Sequence, residues 1–263
     1  MEIIKEINGE LIKNLLKQGK RADGRGKLQY RKIEVEKNII ENAEGSAFCR
    51  LGNTQVLAAI KIGLSQPFPD RPDEGILSTN AEFTPIAASH FEPGPPSIDS
   101  IELARVVDRG IRSSGIVDLK KLTTPNPELV KTIYLDLWII DYDGNLFDAS
   151  TIASVVALKN TFMPKLEGDK LIYEERVEKL PTYSCPISCT FGKIEEHIIL
   201  DPTFDEEISL SPLITITTTS NHVCAVQKSK GGGFSKNQLL DLIDLSFQKA
   251  QEIRQLLGLK DVD

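Results

Sequence analysis

The stretch from Thr132 to Met163, TIYLDLWIIDYDGNLFDASTIASVVALKNTFM, limits the fold of this chain more than any other. Tyr134 to Ile140 is dense in large apolar and β-branched residues, too short for a helix but long enough for a central strand. Asp141, Asp143, Gly144 and Asn145 supply turn chemistry. Asp148 then stands where it can cap a helix that carries Ile152, Val155, Val156 and Leu158 toward Pro164. No charge occurs between Asp148 and Lys159, and such a helix is stable only with most of its surface covered. A strand, a turn and a buried helix lying on a sheet are expected.

Around this centre the periodicities alternate. Ile3, Ile4, Ile7, Leu11, Ile12, Leu15 and Leu16 recur at helical spacing up to Gly19, and Arg21–Arg25 follows as a charged loop. Ile33 and Val35, Ser46 to Leu51 and Thr54 to Gly63 read as an antiparallel meander with Gly52-Asn53 as a hairpin turn. Proline-rich loops flank a strand within Ile76 to Ile86, and a helix is expected from near Ser97 to about Ser114. Lys165 to Thr182 is polar and reads as a connector. Cys185 to Phe191 and His197 to Leu200 flank a Gly192-Lys193 turn, and Leu213 to Thr219 and Val223 to Lys228 flank Ser220-Asn221. Ser235 and Gln238 form a capping box for a last helix burying Leu239, Ile243, Phe247, Ala250, Ile253 and Leu257. The result is an α+β chain of two halves, 1–164 and 165–263, in one globular unit.

With 40% hydrophobic and 26% charged residues, and no apolar run long enough to span a bilayer, the composition is that of a soluble protein. The N-terminus alternates charged and apolar residues and lacks a signal-peptide core, so a cytoplasmic location is expected. Cys49, Cys185, Cys189 and Cys224 form no C-x-x-C and sit in apolar surroundings, as reduced packing residues do. A net charge of −7 argues against a lone chain that coats nucleic acid, yet it is compatible with a local basic stripe.

Such a stripe exists. Arg105, Arg109 and Arg112 fall at i, i+4 and i+7 of the expected helix, on one face. They read either as a phosphate-binding row or as partners in surface ion pairs, Glu102 with Arg105 and Asp108 with Arg112. Gly231-Gly232-Gly233 matches neither nucleotide-binding glycine pattern and reads as a turn. Asp141, Asp143 and Asp148 offer a metal-dependent nuclease, with turn formation and capping as the plainer account. Asp201, Asp205, Glu206 and Glu207 offer a second such metal-holding group, with surface solvation as the plainer account. With only His90, His197 and His222 and no G-x-S-x-G, a serine or cysteine hydrolase has little support.

Taken together, Arg21–Arg25 (RADGR), Gly45–Lys61 (GSAFCRLGNTQVLAAIK), Glu102–Arg112 (ELARVVDRGIR) and Leu135–Ser150 (LDLWIIDYDGNLFDAS) resemble the RNase PH family, over about residues 20–257. Within it the chain is most similar to non-catalytic ring subunits of the archaeal exosome. The resemblance implies an RNase PH-like two-layer fold, two βαβ-like halves with mixed sheets and helices packed on one side. It also implies a hexameric ring, a trimer of heterodimers in which active and inactive chains alternate, with RNA-binding cap subunits, single-stranded RNA and no cofactor.

The departures from the family pattern concern catalysis. Active members hold the attacking phosphate with an Asp-Gly-Gly-Thr-Arg loop, where this chain has Asp143-Gly144-Asn145-Leu146-Phe147. They carry an arginine pair ahead of the Glu-x-x-Arg helix, where Ile98-Asp99 stands, and an aspartate in an Asp-Met-Pro-like segment, where Ser209-Leu210-Ser211-Pro212 stands. No catalytic residue of its own is therefore expected, and Arg105, Arg109 and Arg112 are expected to contact RNA inside a 3′–5′ phosphorolytic complex. The rivals are a scaffold without RNA contact and the aspartate nuclease.

Overall fold

The structure is a computed structural model that describes residues 2–261, and the side chains of residues 9–261. β1 (Ile33–Lys37), β2 (Gly45–Leu51) and β3 (Thr54–Ser65) form the expected meander, with Gly52 at φ +60° in its tight turn. β5 (Val130–Asp141) adds antiparallel to β3, and β4 (Ile76–Phe83) adds parallel to β5 at the edge, giving the order β1-β2-β3-β5-β4. The strand expected at Tyr134 to Ile140 is thus longer and lies next to the edge. Its period of two is strict: Ile133, Leu135, Leu137 and Ile139 are buried, while Tyr134 and Trp138 point to the other, open face.

α2 (Ile98–Ser114) begins as expected at Ser97, whose hydroxyl accepts from the Ser100 amide, and ends at Gly115 in the left-handed region. α3 (Leu146–Lys159) is the uncharged helix, and Ile152, Ala153, Val155, Val156 and Leu158 are all within 1% of full burial. Each such valine or isoleucine contributes roughly 1.5–3 kcal/mol of transfer free energy, which compensates for mediocre helix propensity. Its cap is Asn145, not Asp148, which lies inside the first turn. The loop needs a residue at φ 57° there, a left-handed conformation that asparagine tolerates better than most other side chains.

The second sheet has the order β11-β10-β8-β9, from β8 (Ile187–Ile194), β9 (His197–Leu200), β10 (Leu213–Thr218) and β11 (Val223–Ser229). The α+β class holds, but this sheet is antiparallel throughout instead of mixed, because β8–β9 and β10–β11 are hairpins and β8 pairs antiparallel with β10. Its middle strands are covered on both faces. Ser188 reaches Thr151 on α3 (2.9 Å), whereas Cys189 on the opposite face reaches the Ser246 carbonyl on α5 (Lys236–Leu256). The layers therefore run sheet, α2 and α3, sheet, α5.

Other expectations shift. Lys165 to Thr182 is no plain connector: β6 (Phe162–Glu167) and β7 (Lys170–Lys179) make a hairpin turning at Gly168. β7 exposes nearly every side chain, so no apolar alternation announced it. The β8–β9 turn falls at Glu195-Glu196, beyond Gly192-Lys193, and Gly192 instead lets Leu210 and Leu213 close over the strand. On α5 the fully buried row is Leu242, Ser246, Ala250 and Ile253, with Leu239, Ile243, Phe247 and Leu257 half-buried beside it. A further short helix, α4 (Phe204–Ser209), opens with a Thr203–Glu206 capping box. On α1 (Glu2–Lys17), Ile12 and Leu16 pack with Ile194, Ile199, Leu210 and Leu213. The side chains of Ile3, Ile4 and Ile7 lie outside those described. Cys49, Cys185 and Cys189 are buried, Cys224 is half-buried, and all four are free.

Candidate nucleic-acid interface

α2 buries Leu103, Val106, Val107 and Ile111 and turns Arg105, Arg109 and Arg112 outward. The three share a face, but their surroundings differ. Arg112 is occupied: it donates to both Asp108 oxygens (3.1 and 2.9 Å) and to the Leu77 carbonyl (3.0 Å). The expected Asp108–Arg112 ion pair is therefore formed. The expected Glu102–Arg105 pair is not. Glu102 turns instead to β11, accepting from Gln227 Nε2 (2.9 Å) and Ser229 Oγ (2.8 Å). Arg109 donates to Gln227 Oε1 (2.6 Å), a neutral acceptor. Arg105 has neither hydrogen bond nor ion pair among the described residues. Two guanidinium groups thus stand outward without a carboxylate.

At the turn after β5 the opposite situation holds, since its polar groups are satisfied internally. Glu207, on α4, accepts from the Asn145 amide (2.8 Å) and from the Tyr142 hydroxyl (2.8 Å), placing a carboxylate of this chain at the N-terminus of α3. Burial raises the pKa of Glu207 above the usual carboxylate range and that of Tyr142 well above the usual phenol. Leu146 and Phe147 pack against the core, so the loop presents neither cation nor hydroxyl. Gly144 (φ +80°) is required because a Cβ there would sit 2.5 Å from the Thr203 carbonyl carbon.

The three aspartates do not converge. Asp141 accepts from Gln55 (3.3 Å) and the Tyr142 amide, and Asp143 accepts from Asn53 (3.2 Å) beside Arg31. Asp148 is buried under Tyr30 (2.8 Å), Asn145 (2.9 Å) and both the amide and hydroxyl of Thr190. Burial pushes its pKa up to about 7. Among the described residues no group of three His, Cys, Asp or Glu side chains could hold a metal ion, so the nuclease constellation fails on geometry.

Nor are all of the later carboxylates solvated. Asp201 is fully buried and accepts from Arg31 through both oxygens (2.7 and 3.0 Å), from Arg25 (2.9 Å) and from Asn145 (2.7 Å). Glu206 is equally hidden and is held by Arg21. Arg21 and Arg25 therefore clamp the charged RADGR loop to the connection between β9 and α4. Sequence reasoning missed Gln227 and Ser229 and read Glu207 as solvated, whereas it holds the Asn145 amide and the Tyr142 hydroxyl. The T-x-x-E capping box at 203–206 marks Glu206, whereas nothing local marks the contact of Glu207 with Asn145 or the place of Gln227.

Residues 29–164 match the model of the 3′ exoribonuclease family domain 1, and residues 184–249 match that of domain 2. The chain belongs to the RNase PH family. Among its relatives in this family, the exosome complex component Rrp42 of Thermococcus gammatolerans is 46% identical over 262 residues, covering 98% of this chain and 96% of that one. Among solved structures, a chain of the Archaeoglobus fulgidus exosome with RNA bound to the active site superposes with a TM-score of 0.91 at 40% identity, over 97% of this chain and 99% of that chain. A chain of an archaeal exosome core gives 0.86 at 37% identity, over 97% and 98%. The expected RNase PH fold is thereby established.

Proposed function

We propose that this RNase PH family chain is a non-catalytic component of an archaeal-type exosome, active in 3′–5′ RNA phosphorolysis and tailing only with a catalytic RNase PH-like partner. The observation that carries this reading is the α3 N-terminus, where Glu207 takes the amide that an anion would need and Phe147 replaces a cationic side chain. A second phosphate-sized anion there would meet a carboxylate. The relatives' names and the RNA-bound Archaeoglobus fulgidus complex support the same assignment.

In this proposal the chain alternates with its partner in a hexameric ring of three heterodimers carrying RNA-binding caps, in the cytoplasm. Its two halves, 1–164 and 165–263, act as one unit, a division supported by their separate sheets and by two family models. The outward stripe Arg105, Arg109 and Arg112 borders the partner's active site and holds single-stranded RNA by its phosphates, Arg105 and Arg109 being the freer donors. In the assembled ring, replacing Arg105 and Arg109 together by Ala should leave assembly intact and weaken RNA binding. Each lost phosphate contact should lower the slope of log K against log salt by roughly 0.7. An unchanged slope would show these arginines to be structural.

A further inference from the structure

We propose that Gln227 and Ser229 of β11 are positioning residues for the RNA-binding stripe: they hold Glu102 away from the arginines and so keep Arg105 and Arg109 electrostatically available. This rests on the reading of the stripe given above. On an isolated helix Glu102 would face Arg105 at i, i+3, and a pair there would cancel one of the charges offered to phosphate. In the folded chain Glu102 is already supplied with two donors from the second sheet, Gln227 Nε2 at 2.9 Å and Ser229 Oγ at 2.8 Å.

The amide of Gln227 has a direction that matters. Its nitrogen donates to Glu102, and its oxygen accepts from Arg109 Nη2 at 2.6 Å. One neutral group thus separates the carboxylate from the guanidinium and fixes both. Arg109 spends one of five N–H donors on this contact and keeps the others, in a planar fork suited to phosphate oxygens. Neither a hydrocarbon nor a carboxylate at position 227 can do both jobs: the first donates nothing to Glu102, and the second repels Glu102 while neutralising Arg109. Gln227 and Ser229 alternate on the same side of β11, which packs along α2, so the second half of the chain sets the charge of a helix in the first.

The test uses the ring assembled with its catalytic partner, a labelled single-stranded RNA and no phosphate, with affinity measured across a salt series. Gln227→Leu with Ser229→Ala should lower the salt slope by about 0.7 for each arginine that Glu102 then neutralises. Adding Glu102→Gln to that variant should restore the wild-type slope, although β11 remains as altered as before. A merely structural role for the strand would show no such rescue. The inference is overturned if Gln227→Leu with Ser229→Ala keeps the wild-type slope, or if Glu102→Gln fails to restore it. Arg105→Ala with Arg109→Ala is the reference: if that variant keeps the slope, the stripe itself does not bind RNA and both readings fall together.

Discussion

Arg21 and Glu206 stand 185 residues apart in sequence and close a fully buried two-point ion pair, Nε to Oε1 at 2.9 Å and Nη2 to Oε2 at 2.5 Å. Nη1 and Nη2 of Arg21 also donate to the Leu200 and Asp201 carbonyls, both at 2.8 Å. Every charged atom is satisfied, which is the condition for burying such a pair. Arg21→Ala leaves Glu206 buried without its cation and should cost about 3–5 kcal/mol in urea unfolding. Arg21→Met combined with Glu206→Leu should lose much less than either single change. Equal losses in all three variants would mean that packing, not charge, dominates there.

Asp148 makes stability depend on pH in an unusual direction. Burial pushes its pKa up to about 7, with Asn145 and Thr190 only partly opposing the rise, whereas an unfolded aspartate titrates near about 3.9. Between those values the folded chain holds a proton that the unfolded chain has released, so this contribution to stability falls as pH rises from about 4 to 7. Asp148→Asn removes the titration. Unfolding free energies measured from pH 4.5 to 8 should shift in favour of the variant as pH rises, and parallel curves for the two proteins would contradict the buried-acid account.

Gly144→Ala should be strongly destabilising for a single methyl. Its φ of +80° is in the left-handed region, and the new Cβ would lie 2.5–2.7 Å from backbone atoms of residues 202–204. Backbone cannot yield as a flexible side chain does, so a loss of at least about 2 kcal/mol is expected by thermal or urea unfolding. A near-neutral variant would show that the β5–α3 turn and the segment 202–204 leading into α4 can separate freely.

What the sequence discloses here follows from the range of each interaction. α2 and α5 are readable because caps and 3.6-residue periodicity are local, down to Ser97 and the Ser235–Gln238 box, and α3 is readable as a buried helix although its cap is Asn145 and not Asp148. The β6–β7 hairpin is not, because its outward charged strands carry no alternation. The arginine stripe is legible as a row, yet its charge state is not. Only the fold brings Gln227 and Ser229 to Glu102, across more than a hundred residues, and leaves Asp108 to Arg112. The same holds for RADGR, whose arginines look like surface charge until Asp201 and Glu206 arrive from the second half. The departure from the family pattern at Asn145–Phe147 is visible from the resemblance, and the structure adds Glu207, which accepts from the Asn145 amide at the start of α3.

The most direct measurement is phosphate-dependent shortening of a 3′-tailed, 5′-labelled RNA by this chain alone, by its catalytic RNase PH-like partner alone, and by the two assembled. The expected result is no shortening by this chain at any phosphate concentration, and processive shortening by the assembly that weakens when Arg105 and Arg109 are replaced by Ala. Shortening by the purified chain alone, abolished by Asn145→Ala or Glu207→Ala, would contradict the claim that its own helix terminus is closed to phosphate.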